Sequence, residues 1–196
     1  MKSELNLSRL RPAAFLDRDG VINLDKAYVS RWEDFDFVPG AVDAMRQLKA
    51  AGFALVVVTN QSGLARGMYT SEQFQALTAR MCAELARFDA APDGVYHCPH
   101  HPSGSVAAFA VACACRKPAP GLILQAASEL GLSLPDSLMV GDKPSDIQAA
   151  RAAGVGRAYK VCSDNALSGE EAGDADGEFA NLDACVRFLL SAGHAA

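Results

Sequence analysis

The sequence predicts an α/β fold, a parallel sheet covered by helices on both faces. Three observations carry that expectation. Short apolar runs alternate with helix-patterned segments along the chain. One run, Phe53 to Thr59, is apolar and β-branched up to its closing threonine instead of alternating with polar residues. Polar residues recur just past the ends of the runs. Alternating strands and helices join parallel strands through right-handed crossovers, and strands buried on both faces read as continuous apolar stretches. Ligands in such folds bind beyond the carboxyl ends of the strands.

Each element follows in order. Ala13 to Asp17 reads as a buried strand ending in an acid, and a polar loop with scattered aromatics runs to Pro39. From Gly40, Val42, Met45 and Leu48 recur at helical spacing until Gly52 stops the helix. Phe53 to Thr59 is the second strand. Thr70 with Gln73 forms a capping box, opening a helix striped by Phe74, Leu77, Met81, Leu85 and Phe88. Gly94 to His97 is a short third strand. A helix from about Pro120 to Gly131 precedes the fourth strand, Ser137 to Gly141, which runs into Asp142. Ser145 with Gln148 is expected to cap the next helix, Arg157 to Val161 is the fifth strand, and Asn181 to Leu190 a closing helix. No internal repeat or low-complexity linker interrupts the chain, so residues 1–196 are expected to form a single domain.

The 196 residues are 50% hydrophobic and 21% charged, an ordinary globular mix that excludes wholesale disorder, a collagen-like fibre and a coiled coil. A formal net charge of -5 supplies no global basic field for a nucleic-acid backbone, so an anionic ligand would need a local cationic pocket. The longest apolar run, Val106 to Cys115, falls well short of the ~18 residues a spanning helix needs. Met1 to Pro12 is broken by Glu4, Arg9 and Arg11 and has no apolar stretch of signal-peptide length. A cytoplasmic monomer with neither nucleic-acid nor membrane partner is therefore expected, and in a reducing compartment the six cysteines point to metal ligation or plain burial.

The chemistry gathers at the expected strand ends. Asp17 and Asp19 stand two apart before Gly20, which permits the sharp turn that brings backbone close to a ligand. One carboxylate can be a nucleophile or a hard-metal ligand while the other does acid/base work; the competing reading is a pair of solvated loop acids. Thr59 could donate its hydroxyl to a phosphate oxygen or simply bond its own loop. Lys117 is a point charge suited to a phosphoryl group, and Arg116 beside it a fork that fits phosphate bidentately. Asp142 is the hard oxygen ligand that Mg²⁺ prefers. Together these residue types suit phosphoryl transfer, in which the protein positions groups and neutralises charge.

The order Asp-x-Asp-Gly, Thr-Asn-Gln-Ser-Gly, Arg-Lys-Pro and Gly-Asp-Lys-x-x-Asp resembles the haloacid dehalogenase superfamily of phosphatases, and within it the D-glycero-D-manno-heptose-1,7-bisphosphate 7-phosphatase family. The resemblance covers the chain from Ala13 to the terminal helix. It implies a Rossmann-like parallel sheet with helices on both faces, a minimal cap and an inserted zinc loop. It also implies that Asp17 is the nucleophile forming an aspartyl-phosphate, and that Asp19 protonates the leaving alkoxide and then deprotonates the attacking water. Mg²⁺ would be held by Asp17, the backbone carbonyl of Asp19 and Asp142, with Thr59 and Lys117 on the phosphoryl oxygens. The family's substrate contacts map onto Asp25, Lys26, Ala27 and Tyr28, onto Thr59, Asn60, Gln61 and Ser62, and onto Arg116, Lys117 and Lys143. The implied reaction removes the 7-phosphate of a sugar bisphosphate in nucleotide-activated heptose biosynthesis.

Cys98, His100, Cys113 and Cys115 form a second constellation, bracketing residues 98–115 and running into Arg116 and Lys117. Three thiolates and an imidazole make a closed tetrahedral set, structural and not catalytic zinc chemistry, and the resembled family carries a zinc loop of this pattern. Its expected task is to fix Arg116 and Lys117 at the rim. His97 and His101 could compete as ligands but are expected as surface loop histidines, and Cys82, Cys162 and Cys185 as small buried hydrophobes. Trp32, Phe35 and Phe37 are expected to pack against the domain rather than wall the pocket. A histidinol-phosphate phosphatase shares the motifs, but Ser62, the continuation Leu64 to Gly67, the loop His100 to Ser105 and Lys143 favour the heptose family. A polynucleotide 3′-phosphatase would need a basic groove, and a non-catalytic zinc-stapled sugar-phosphate-binding protein would not need both acids of the first motif.

Overall fold

The computed structural model describes residues 10–162 and 174–191. The Met1 to Pro12 segment, read above for a leader, lies almost wholly outside them. Strand β1 (Ala13–Leu16) is followed by helix α1 (Ala41–Ala50), β2 (Ala54–Asn60), the short α2 (Ser62–Ala65), α3 (Ser71–Ala86), β3 (Gly94–Cys98), α4 (Gly121–Leu130), β4 (Leu138–Gly141), α5 (Pro144–Ala153), β5 (Arg157–Val161), β6 (Gly177–Phe179) and α6 (Leu182–Ser191). The strands form one sheet in the order β3-β2-β1-β4-β5-β6, every neighbouring pair parallel. The parallel α/β architecture expected from the alternation is the one observed.

Alternation along β1 explains the two cores. Ala14 and Leu16 join Met45 and Leu48 of α1, Leu77, Met81 and Leu85 of α3, and Val186 and Leu189 of α6 on one face. Ala13 and Phe15 join Leu122 and Ile123 of α4 and Ile147 and Ala150 of α5 on the other. With both faces covered, every β1 residue is buried, so the strand carries no polar position until Asp17.

The structure departs from expectation at five places. The cap on α5 is not Ser145: the helix starts a residue earlier, at Pro144, whose fixed φ suits a first helical position. Its N-cap is Lys143, whose backbone N–H donates to Asp146 Oδ2 at 3.0 Å. Phe88 leaves the α3 stripe, because the chain turns at Asp89 (φ 55°) to send Ala90 inward, leaving the Phe88 ring 49% exposed. Two elements, α2 and β6, went unread; both are too short to show a period. Cys82 is half-buried, while Cys162 and Cys185 are buried as expected. The Thr70 and Gln73 capping box forms as read.

Candidate active site

Parallel strands aim their carboxyl ends at one rim, and β1, β2 and β4 deliver Asp17, Thr59 and Asp142 there. The backbone N–H of Asp17 still donates to Val140 O, at 3.0 Å, so its position is set by the sheet. Asp17 Oδ1 accepts from the Arg18 backbone N–H at 2.8 Å and lies 2.9 Å from Lys117 Nζ. The Lys117 ammonium is itself buried and also reaches Asp146 Oδ1 at 2.6 Å and Val58 O at 2.8 Å. Asn60 clamps this lysine's backbone from both sides, accepting from its N–H at 3.0 Å and donating to its carbonyl at 3.1 Å.

Three carboxylates, Asp17, Asp142 and Asp146, bring oxygens within 4.8 Å of one another. Burial pushes Asp17 up to about 7; Lys117 opposes the shift, and the charges of Asp146, Asp142 and Asp19 reinforce it. Burial works against the Lys117 charge as well, but Asp146 and Asp17 outweigh it and raise its pKa. Three acids facing one ammonium suit a hard divalent cation bound through oxygen. Both Asp146 oxygens are already engaged, one by Lys117 and one by the Lys143 N–H, which leaves Asp17 and Asp142 as the better metal ligands. Gly141 belongs to this arrangement, since a Cβ there would stand 2.2 Å from the Asp146 Cβ.

Asp19 turns away from the sheet after Gly20 adopts φ 84°. Its Oδ2 accepts from Gln61 Nε2 at 3.0 Å, and the same amide donates to Thr59 Oγ1 at 2.9 Å. The Tyr69 hydroxyl donates to Gln61 Oε1 at 2.5 Å and so fixes which way that amide faces. Over these groups opens a cleft of about 270 Å³ lined by Asp19, Asp25, Ala27, Tyr28, Asn60, Gln61, Ser62, Gly63, Tyr69 and Lys143. Ala27 and Tyr28 both hold left-handed backbone (φ 57° and 55°), and the Ala27 N–H donates to Asp25 Oδ1 at 3.0 Å. Lys143 Nζ spans the cleft to Asp25 Oδ2 at 3.1 Å and stands 3.7 Å from Asp142 Oδ2.

The Cys98, His100, Cys113 and Cys115 ligand atoms converge. The sulfurs lie 3.2 to 3.5 Å apart, and His100 Nδ1 is 3.7 Å from Cys98 Sγ and 3.4 Å from Cys115 Sγ. The three cysteines are free, so four soft and borderline ligands meet without a disulfide, a set that fits Zn²⁺. His97 instead lies against Phe74, ring centroids 4.3 Å apart, and His101 Nδ1 accepts from the Ser103 N–H at 3.1 Å.

With this geometry in view, residues 7–154 match the haloacid dehalogenase-like hydrolase family. The chain belongs to that family. The hydrolase is 52% identical over 165 residues to a D-glycero-beta-D-manno-heptose-1,7-bisphosphate 7-phosphatase of Yersinia pestis, covering 84% of this chain and 88% of that one. The enzyme of the same name from Escherichia coli K12 is also 52% identical, with 84% and 86% covered. Among solved structures, D,D-heptose 1.7-bisphosphate phosphatase from B. bronchiseptica, complexed with magnesium and phosphate, superposes with a TM-score of 0.80 at 32% identity, covering 92% of this chain and 99% of that one. A putative phosphatase of the family from Mesorhizobium loti gives 0.74 at 38% identity, with 78% and 73% covered.

Most of the residues singled out in the hydrolase's sequence meet at the rim. Lys26 does not: its ammonium pairs with Asp36 away from the cleft. Arg116 lies beside the cleft, in a shallow depression of about 190 Å³ shared with Cys113 and Lys117, and its Nη1 donates to His100 O at 3.4 Å. Trp32, Phe35 and Phe37 pack on one another, with Trp32 stacked on Phe35 at 5.3 Å, and none lines the cleft. A separate concavity of about 690 Å³, lined by Phe37, Val42, Arg46 and Phe88 among others, contains none of the strand-end groups. Sequence reasoning gave no role to Arg18, Asn23, Tyr69 or Asp146. Asp146 alone carried a signal, as the last acid of Gly-Asp-Lys-x-x-Asp.

Proposed function

We propose that this hydrolase removes the 7-phosphate of D-glycero-D-manno-heptose 1,7-bisphosphate through an aspartyl-phosphate on Asp17, in nucleotide-activated heptose biosynthesis in the cytoplasm. The observation that carries the reading is the buried Lys117 ammonium, held between Asp17 and Asp146 and gripped at its backbone by Asn60, which lines the cleft together with Asp19. A phosphoryl group entering there would meet the nucleophile, a fixed cation and a proton-transfer acid together. The 52% identity to enzymes named for this substrate supports the choice of sugar.

In this reading an Asp17 carboxylate oxygen attacks phosphorus and the bond to the sugar oxygen breaks. Asp19 delivers a proton to the departing alkoxide. Water then loses a proton to Asp19 and attacks the same phosphorus, and the bond to Asp17 breaks to release phosphate. Lys117 and Thr59 hold the phosphoryl oxygens, and Asn60 keeps Lys117 in place. Asp17, Asp142 and the Asp19 carbonyl would hold Mg²⁺, which supplies charge neutralisation at the phosphoryl oxygens. Cys98, His100, Cys113 and Cys115 would hold a structural Zn²⁺ that ties the loop ahead of Arg116. Asp25, Ala27, Tyr28, Ser62, Arg116 and Lys143 remain to orient the sugar and its second phosphate. A single-domain monomer suffices for this chemistry.

The test is phosphate release from both anomers of the heptose bisphosphate, histidinol phosphate and fructose 1,6-bisphosphate under identical Mg²⁺ conditions. The expected result is the highest kcat/KM for a heptose anomer. A wide margin for histidinol phosphate would overturn the substrate assignment.

A further inference from the structure

The first motif places an arginine between its two acids, and that arginine is among the most buried side chains of the chain, 2% exposed. Neighbouring side chains of an extended strand point to opposite faces. Here the chain leaves β1 at Asp17 and curls back, with Ile22 and Asn23 both donating their N–H to Arg18 O at 2.9 and 3.1 Å, so Arg18 and Asp19 come side by side. The guanidinium forks onto the Asp19 carboxylate, Nε to Oδ2 at 3.2 Å and Nη2 to Oδ1 at 3.0 Å. Nη2 also donates to Val29 O at 3.0 Å, and the group lies 5.8 Å from the Phe74 ring centroid. Asn23 Nδ2 donates to Oδ1 at 3.0 Å, and Gln61 completes the set on Oδ2. Both Asp19 oxygens are thereby held from two directions.

Stability is a poor account of this arrangement. Burying a guanidinium costs desolvation that an ion pair repays only when its donors are satisfied. Nη1 of Arg18 is buried and has no hydrogen-bond partner among the described residues. An apolar side chain of similar volume would avoid that cost. What the guanidinium alone provides is a planar fork that fixes a carboxylate in orientation, which a lysine cannot reproduce. The same residue's backbone N–H holds Asp17, so one residue sets the spacing of both acids.

We propose that Arg18 is a positioning residue for proton transfer, holding the Asp19 carboxylate at the orientation from which it serves the sugar oxygen and then the water. The inference rests on the reading of Asp19 as acid and base given above. It predicts that Arg18 acts only through Asp19.

A double-mutant cycle tests this, with kcat and KM measured on heptose bisphosphate and on p-nitrophenyl phosphate for wild type, Arg18→Met, Asp19→Asn and the double variant. Arg18→Met should lower kcat on the sugar phosphate by about 10- to 100-fold with KM unchanged, the usual cost of losing a group that orients a catalytic one. In the Asp19→Asn background the same substitution should cost nothing further on either substrate. Equal losses in both backgrounds, a loss confined to KM, or no loss would overturn the proposal. If Arg18→Met does not fold, Arg18→Lys takes its place in the cycle, and failure of both to fold overturns it as well by making the guanidinium a requirement of the fold. The underlying reading fails differently: Asp19→Asn would then keep wild-type kcat on the sugar phosphate whatever Arg18 does.

Discussion

Asp17 and Asp19 sit two residues apart yet occupy different surroundings. Asp17 is buried against Lys117 and two further acids, whereas Asp19 lies at the cleft wall among neutral amides and Arg18. Different surroundings allow one carboxylate to attack while the other carries a proton, and the two roles can be separated by experiment. Asp17→Asn should abolish turnover of every substrate. Asp19→Asn should lose on the order of 10²- to 10⁴-fold on a sugar phosphate, whose alkoxide must be protonated to leave. An aryl phosphate needs no such help, so Asp19→Asn should still release one equivalent of phenolate in a single-turnover burst, and Asp17→Asn none. Equal bursts, or a burst from Asp17→Asn alone, would mean the roles are exchanged or absent. This pair was legible in the sequence because both residues lie in one short motif; the role of Arg18 between them was not, because adjacency in sequence says nothing about a fork closing across a turn.

The loop that follows β3 has little core of its own beyond Phe109, which packs against Leu64, Tyr69 and Phe74. Residues 99–114 are rich in small side chains, and they are tied back at Cys98 and His100 on one side and Cys113 and Cys115 on the other. Metal binding to such a set is coupled to loop folding. Cys113→Ser should therefore lose about one equivalent of zinc and gain protease cleavage between Cys98 and Cys115. Activity should fall with it, because the loop leads directly into Arg116 and Lys117, and the Lys117 ammonium must stay against Asp17 and Asp146. Full zinc content and full activity would remove Cys113 from the ligand set. The convergence of these four side chains was readable from spacing together with the family pattern. That His97 and His101 stand aside was settled by packing, one ring against Phe74 and the other beside Arg66 at 3.2 Å.

At the scale of the whole molecule, the cluster of acids should couple Mg²⁺ binding to stability if it holds the ion as proposed. Burial raises the Asp17 carboxyl from the usual carboxylate range to about 7, so the folded state keeps its proton after the unfolded chain has released it. Its contribution to stability is thus full below about pH 4 and falls as pH rises toward about 7 when no divalent cation is bound. Mg²⁺ should reverse that fall by favouring the ionised form. The rise in Tm on adding Mg²⁺ should be larger at about pH 8 than at about pH 6. In Asp17→Asn that difference should vanish. Equal Mg²⁺ shifts at both pH values in the wild type would exclude Asp17 from the metal site.

The sequence by itself determined five of the six strands, most helices and the motif residues, because burial on both faces writes a central parallel strand as an apolar run and ends it in a polar residue at the rim. It also brought the correct family into view through four short motifs in order. Only the tertiary structure decided the pairings across them. Lys117 reaches Asp17 and Asp146 from a loop remote in sequence from both, and Asn60 grips that lysine from the end of β2. Tyr69 orients Gln61, and Lys26, read as a substrate contact, turns away to Asp36. Such contacts depend on where separate strand ends converge and on which face a side chain leaves its loop, and periodicity within one segment carries no record of either.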